Sequence, residues 1–332
     1  MKAIVMTAPG APDVLQLREV PMPTLHSDSA LLVRIKAAGL NPLDAKLRKR
    51  GTYFPDRMPT ILGCDGAGIV EATGKSVRRF KTGDAVYFCH GGIGDQPGNY
   101  AQYTVIDEQF AAPKPTTLSF SEAAAAPLAL ITAWEALFDR TALTPTDRVL
   151  IHAGAGGVGH IAVQLAKHHG ATVYTTVSSE EKASFVRQLG ADCALLYRQE
   201  DIVARLKAET QGLGVDIAFD TVGGNTFAAT FPAVKIYGDV VTLLEPPADC
   251  NWKEARLRNL RISFELMLAP MLYNLAPAQR HQAAILARSV ALFDAGALRI
   301  HVAQEFTLAE AAKAHALIES GSVQGKIVLR MD

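Results

Sequence analysis

The 332-residue sequence has little of what marks several protein classes. Cysteine is scarce. Cys64, Cys89, Cys193 and Cys250 stand far apart with no C-x-x-C pair, so no disulfide framework or zinc ribbon is readable and a reducing, cytoplasmic setting is expected. Neither sign of charge is in excess: 33 Lys plus Arg face 33 Asp plus Glu without a long run of either. That balance gives no footprint for nucleic acid or an anionic membrane and leaves small molecules as the expected partners. Long apolar runs are also missing. Pro127 interrupts the longest, Ala123 to Trp134, and Ala3 to Met6 is too short for a signal-peptide core, so neither a membrane span nor export is expected. Repeats, low-complexity stretches and flexible linkers are absent as well.

What is present is a folded chain, 49% apolar and 20% charged, long enough for two packed domains. Residues 1–120 read as short extended runs punctuated by Pro and Gly: Ala3 to Met6, Ala30 to Ala37, Gly66 to Glu71, Ala85 to Phe88 and Tyr100 to Ile106. This pattern predicts a compact, barrel-like β domain. Ser119-Phe120-Ser121-Glu122 then forms a capping box, predicting a helix to Leu137 that breaks or kinks near Ala126. From Arg148 strands alternate with helices: Val149 to His152, Val158 to His168, Thr172 to Thr176, Glu180 to Leu189, Cys193 to Leu196, Val215 to Asp220, Asp239 to Leu243 and Leu260 to Phe264. Alternation of this kind predicts a doubly wound parallel sheet of about six strands with helices on both faces. Two amphipathic helices, Pro277 to Ala295 and Leu308 to Ser320, and a last strand, Lys326 to Arg330, complete the α/β chain.

Val149 to His152 runs into Gly154-Ala155-Gly156-Gly157-Val158-Gly159, a G-x-G-x-x-G turn opening a helix. The first glycine permits the tight turn, the second lets backbone approach a diphosphate, and the third lets the helix pack on the strand. A glycine-rich structural turn is the competing reading. At the end of the next strand a dinucleotide enzyme specific for NAD places an acid, and here Thr175-Thr176-Val177-Ser178-Ser179 stands instead. Hydroxyls at Ser178 and Ser179 with the Lys182 ammonium suit a 2′-phosphate, so NADP(H) is favoured over an inward-turned Glu180 or Glu181 serving NAD.

Gly63-Cys64-Asp65-Gly66-Ala67-Gly68-Ile69-Val70, the Gly154 to Gly159 turn and Gly325-Lys326-Ile327-Val328 resemble the medium-chain dehydrogenase/reductase superfamily from end to end. Within it, Gly39-Leu40-Asn41-Pro42 and Arg50-Gly51-Thr52-Tyr53 resemble the zinc-free quinone oxidoreductase branch, which includes the ζ-crystallins. The resemblance implies a GroES-like β-barrel catalytic domain, residues 1–120 and 267–332, around a Rossmann NADP(H)-binding domain, residues 121–266, with the active site in the cleft between them. It also implies a homodimer through the outer strand, Leu260 to Phe264. Compared with zinc-bearing relatives, Asn41 replaces the first Cys ligand, Cys64-Asp65 takes the place of a His-Glu pair, and Leu128 stands where the last Cys would be. Cys64 and Asp65 without a third ligand make a poor zinc site, so no metal is expected.

Without a Lewis acid, alcohol oxidation is disfavoured, and hydride transfer to a quinone or related conjugated carbonyl becomes the leading reading. Reduction of an enal, enone or enoyl thioester C=C bond is the alternative; an NADPH-binding sensor or structural protein is the reading from another class. The resemblance gives Asn41 a hydrogen bond to the nicotinamide ribose or acceptor oxygen, against an Asn-Pro turn as the bland reading, and gives Tyr53 the role of stabilising or protonating the product oxygen. Thr132 near the nicotinamide, Tyr197 at the adenosine phosphate, and Gly325 and Lys326 returning to the cofactor follow from the same likeness. Val222 and Gly223, with Leu243 and Leu244, follow instead from the rule that ligands bind beyond the carboxyl ends of parallel strands. The acceptor pocket is expected to draw on Tyr53, Cys64, Leu130, Phe264 and Met267. Asp44 reads as a helix cap and His152 as a satisfied core residue.

Overall fold

In a computed structural model, which describes residues 1–331, the chain divides into two compact units: Met1–Ile131 with Leu268–Asp332, and Thr132–Met267. The division falls inside the helix Pro127–Trp134, so the Ser119 capping box expected near a domain boundary lies within the first unit. That box forms: the Ser119 hydroxyl accepts from the Glu122 amide and the Glu122 carboxylate accepts from the Ser119 amide. The helix it opens, Phe120–Ala125, stops at Ala126 because Pro127 has no amide to continue the ladder.

The first unit is organised by the eleven-residue strand Ala30–Leu40, whose alternate side chains enter a core of Leu31, Val33, Val70, Val86, Phe88 and Ile106. On one side it pairs along most of its length with Asp65–Thr73. On the other its first half pairs with Tyr103–Asp107 and its last four residues with Lys326–Arg330, near the other end of the chain. Close packing behind the strand requires Gly39, where a Cβ would collide with the Ala124 carbonyl. The sheet runs Val302–Thr307, Lys326–Arg330, Ala30–Leu40, Asp65–Thr73, Ala85–Cys89, Ala112–Pro113. Its two outer strands do not pair with each other, so among the described residues the expected barrel stays open. The last strand is only two residues long and ends on Pro113, which lacks the donor needed to extend the ladder.

The second unit is a six-stranded, wholly parallel sheet in the spatial order Cys193–Leu196, Thr172–Val177, Arg148–Ile151, Val215–Asp220, Val234–Thr242, Arg261–Phe264. Numbered along the chain that order is 3-2-1-4-5-6, the doubly wound dinucleotide arrangement, which reverses between the strands ending at Ile151 and Asp220. Leu150, Leu195, Ala218, Phe227, Phe231 and Val240 fill its core. Among the described residues no helix is long and apolar enough to cross a membrane.

One buried residue makes the first unit sensitive to acid. His315, in the helix Ala311–Glu319, is sealed against the edge of the Tyr100 ring with neither ring nitrogen hydrogen-bonded. Burial, reinforced by the Arg48 guanidinium, lowers its pKa to about 3. The unfolded chain takes that proton near pH 6.5, so stability is lost as pH falls from about 6.5 toward 3. Replacing His315 by Leu should shrink the drop in melting temperature between pH 7 and pH 4.5 by about 5 °C, measured by thermal unfolding at both values.

Candidate functional site

In the second unit the strand Arg148–Ile151 delivers the glycine turn to the switch point of the sheet. The Thr175 and Thr176 hydroxyls, from the neighbouring strand, fix the turn's entry: Thr175 Oγ1 donates to the Ile151 carbonyl (2.6 Å), and Thr176 Oγ1 accepts from the Ala153 amide (3.0 Å). Gly154 and Gly159 are required sterically, because a Cβ would strike Thr175 at the first and the Ala153 carbonyl at the second. Gly156 faces no such crowding; only the Ala153 oxygen, at 3.2 Å, would touch a Cβ there. Among the described residues the amides of Ala155, Gly157 and Val158 have no acceptor, and they precede the eleven-residue helix Gly159–His169. Orphan amides and the positive end of a helix dipole make a cradle for a diphosphate.

His152, just before the turn, is satisfied as expected. Its ring nitrogens meet the Thr176 (3.2 Å) and Thr230 (2.8 Å) hydroxyls, and burial lowers its pKa to about 4. Beyond the fourth strand, Asp220 Oδ1 accepts from the Val222 and Gly223 amides at 2.9 Å, and Oδ2 accepts from Thr242 Oγ1 at 3.0 Å. The Leu244 amide in turn donates to Thr242 Oγ1. One buried carboxylate thus joins the two loops, Val222-Gly223 and Leu243-Leu244, that the fold rule singled out.

The end of the second strand carries no inward acid. Ser179 caps the helix Glu180–Gln188 by accepting from the Lys182 amide, while Glu180 is largely exposed and faces Arg187 along its own helix (3.8 Å). The Tyr197 amide donates to the Val177 carbonyl, which ties Tyr197 to the strand end that precedes the serines, and its ring is half-exposed. Arg198 lies over that ring, its guanidinium 5.8 Å from the centroid. Arg198 escaped the sequence reading because it belongs to no motif; its position next to a candidate phosphate-contacting Tyr was the available signal.

In the first unit, Asn41, Asp44, Asp65, Tyr100 and Lys326 form one buried polar network. Asn41 ends the strand register and caps the helix Pro42–Arg50; its amide donates to Asp44 Oδ2 (2.8 Å), which also accepts from the Tyr100 hydroxyl (3.0 Å). Burial pushes the Asp44 carboxyl up to about 7, and its Oδ1 has no partner. Asn41 Nδ2 donates to Asp65 Oδ2 (2.9 Å), the Leu128 amide donates to Asp65 Oδ1 (2.8 Å), and Lys326 Nζ donates to Asn41 Oδ1 while lying 3.8 Å from Asp65 Oδ2. Burial raises the Asp65 pKa and lowers that of Lys326, each opposed by the other's charge.

Asn41 is 1% exposed and its side-chain amide is tied at both ends, and Lys326 is 4% exposed. Cys64 and Leu130 are wholly buried, and Thr132 and Met267 nearly so. Gly325 takes φ +75° and leads Lys326 into its place beside His301, whose carbonyl accepts the Lys326 amide. Tyr53, 48% exposed, and Phe264, at the end of the outermost strand, are the open aromatic groups of the expected pocket set.

A doubly wound sheet with an amide cradle, joined to a predominantly antiparallel β unit that both chain ends complete, defines a two-unit dinucleotide-binding protein. Comparison with known proteins agrees. Residues 27–116 match the alcohol dehydrogenase GroES-like domain family and residues 189–329 a zinc-binding dehydrogenase family. A quinone oxidoreductase of Pseudomonas aeruginosa is 33% identical over 99% of both chains, and a 2-methylene-furan-3-one reductase of Solanum lycopersicum is 39% identical over 73% of this chain and 62% of its own. The structure of an Escherichia coli quinone oxidoreductase complexed with NADPH superposes with a TM-score of 0.87 at 30% identity, covering 99% of this chain and 100% of the other. The chain belongs to the medium-chain dehydrogenase/reductase superfamily, in its quinone oxidoreductase branch.

The zinc in one family description is not matched by these residues. A catalytic zinc needs convergent lone pairs. Here Leu128 contributes an N–H, Asn41 Oδ1 is taken by an ammonium, and both Asp65 oxygens already accept donors. Among the described residues no three of His, Cys, Asp and Glu are grouped to hold a metal.

The two kinds of loop glycine should separate in mutation. Gly159→Val should lower the melting temperature by several degrees through its collision with the Ala153 carbonyl. Gly156→Val should keep the parental melting temperature within about 2 °C yet weaken dinucleotide binding at least about tenfold, as read by fluorescence titration. Equal losses of stability in both variants would contradict the cradle.

Proposed function

We propose that this chain is an NADPH-dependent reductase that passes hydride to a quinone or related conjugated carbonyl without a metal. The observation carrying this reading is the set of orphan amides at Ala155, Gly157 and Val158, next to an acid-free strand end that offers Ser178, Ser179, Lys182, Tyr197 and Arg198. The amides hold a diphosphate. The hydroxyls and cations accept a 2′-phosphate that an Asp or Glu would repel. Likeness to quinone oxidoreductases over nearly the full chain, one of them solved with NADPH, supports both parts.

When bound, the reduced nicotinamide supplies the hydride, and the protein has to orient the acceptor and deliver one proton. A conjugated acceptor is already electrophilic, so it needs no Lewis acid. Tyr53 is the exposed hydroxyl suited to stabilise or protonate the product oxygen. The Asp220–Thr242 link fixes the two loops beyond the fourth and fifth strands, where the nicotinamide is expected to lie. Similarity to the tomato 2-methylene-furan-3-one reductase supports a second reading, reduction of an enone C=C bond, in which the same phenol protonates the enolate.

Two coarser parts belong to the proposal. A homodimer through Arg261–Phe264 is supported by that strand's open edge and by Phe264, 54% exposed at its end. A cytoplasmic setting is supported by four free thiols.

Steady-state NADPH consumption should be fast with para-quinones and slower with enones, and NADH should serve at least about tenfold less well. No turnover with either acceptor class would remove the proposal. Arg198→Ala should raise KM for NADPH about tenfold while leaving KM for NADH within about twofold, because only the former carries the 2′-phosphate.

A further inference from the structure

The resemblance sets Asn41, Cys64-Asp65 and Leu128 of this chain at the places where zinc-bearing relatives keep their metal ligands. They remain tied together, but with reversed polarity. A metal site has a cation at the centre and lone pairs pointing inward. Here a carboxylate is at the centre and N–H groups point inward: the Leu128 amide to Oδ1, Asn41 Nδ2 to Oδ2, and the Lys326 ammonium 3.8 Å from Oδ2. Asp65 is wholly buried, so this donor set is what makes its charge tolerable.

We infer that the Asp65 carboxylate does in this chain the tying that a metal does in zinc-binding members of the family, with the Lys326 ammonium as its resident cation. Both act as positioning residues. Asp65 takes an amide from the first turn of the helix Pro127–Trp134, one of the donors that a helix leaves unpaired. Asp65 and Lys326 also grip opposite ends of the Asn41 side chain, which fixes its orientation. Each Asp65 oxygen already accepts a donor and an ammonium lies 3.8 Å from Oδ2, so a divalent ion would have to compete with the site's own hydrogen bonds and charge.

The test is a double-mutant cycle with Asp65→Asn, Lys326→Met and the combined variant, with metal analysis of the parent before and after incubation with zinc. The parent should hold no stoichiometric zinc. Each single variant leaves one buried charge unpaired and should lower the melting temperature by roughly 5–15 °C, and the combined variant should lose clearly less than the sum. The kinetic arm rests on the proposed reaction: kcat with a quinone should stay at least about tenfold down in the combined variant even though its stability recovers. Mere packing would restore the rate along with the melting temperature. One zinc per chain, additive losses of melting temperature, or a combined variant with parental kcat would overturn the inference. A parent that consumes no NADPH with quinones would count against the proposed reaction, while the metal and melting arms, which need no turnover, would still decide the role of Asp65.

Discussion

A carboxylate removed from water must be surrounded by donors or it will not stay charged, and this requirement at Asp65 shapes the first unit. Its donors come from a strand end (Asn41), a helix start (Leu128) and the final strand (Lys326), so satisfying one side chain draws together segments that are far apart in sequence. The pairing of Ala30–Leu40 with Lys326–Arg330 supplies the same connection through the backbone. Side-chain electrostatics and sheet register therefore specify one arrangement, the agreement between levels expected of a uniquely folded chain. Asp44 extends the network to Tyr100 but leaves one oxygen unpaired, and burial holds its pKa up at about 7.

The second unit solves the opposite problem. Where the first collects donors around an internal anion, the glycine turn leaves donors unpaired for an anion from outside. Gly154 and Gly159 keep the turn tight against Thr175 and Ala153, and between them the amides of Ala155, Gly157 and Val158 have no acceptor among the described residues. Gly157 and Val158 are only half-buried, which leaves their amides available to water or a ligand.

The parallel sheet was highly legible in the sequence. Each of its strands is a short apolar run bounded by turn residues, and Cys193–Leu196 and Val215–Asp220 coincide with the predicted segments to the residue. Local chemistry also announced the capping box at Ser119. Less visible were Leu15–Glu19 and Val302–Thr307, whose side chains are mostly exposed or half-buried and so show no core-facing apolar pattern. The open sheet of the first unit was unreadable because closure depends on which edge strands are long enough to meet. In the candidate site, Asn41 and Lys326 were named, yet as groups facing a ligand. Their contact spans 285 positions, and nothing local in either segment reveals that each supplies the other's partner.

The reversed polarity around Asp65 also bears on what the fold can catalyse. A metal centre draws electron density from a bound oxygen and so helps substrates that are poor electrophiles or must become alkoxides. The Asp65 carboxylate does neither: an ammonium lies 3.8 Å from it, and each of its oxygens already accepts a donor. Activation must then reside in the acceptor, and a conjugated carbonyl brings its own through an oxygen that accepts charge as hydride arrives at carbon. Such a substrate asks the protein for orientation, exclusion of water and one timely proton. A rigid network that holds a strand end and a helix start in fixed positions contributes to the first of these. An exposed phenol such as that of Tyr53, half out of the protein, is suited to the last.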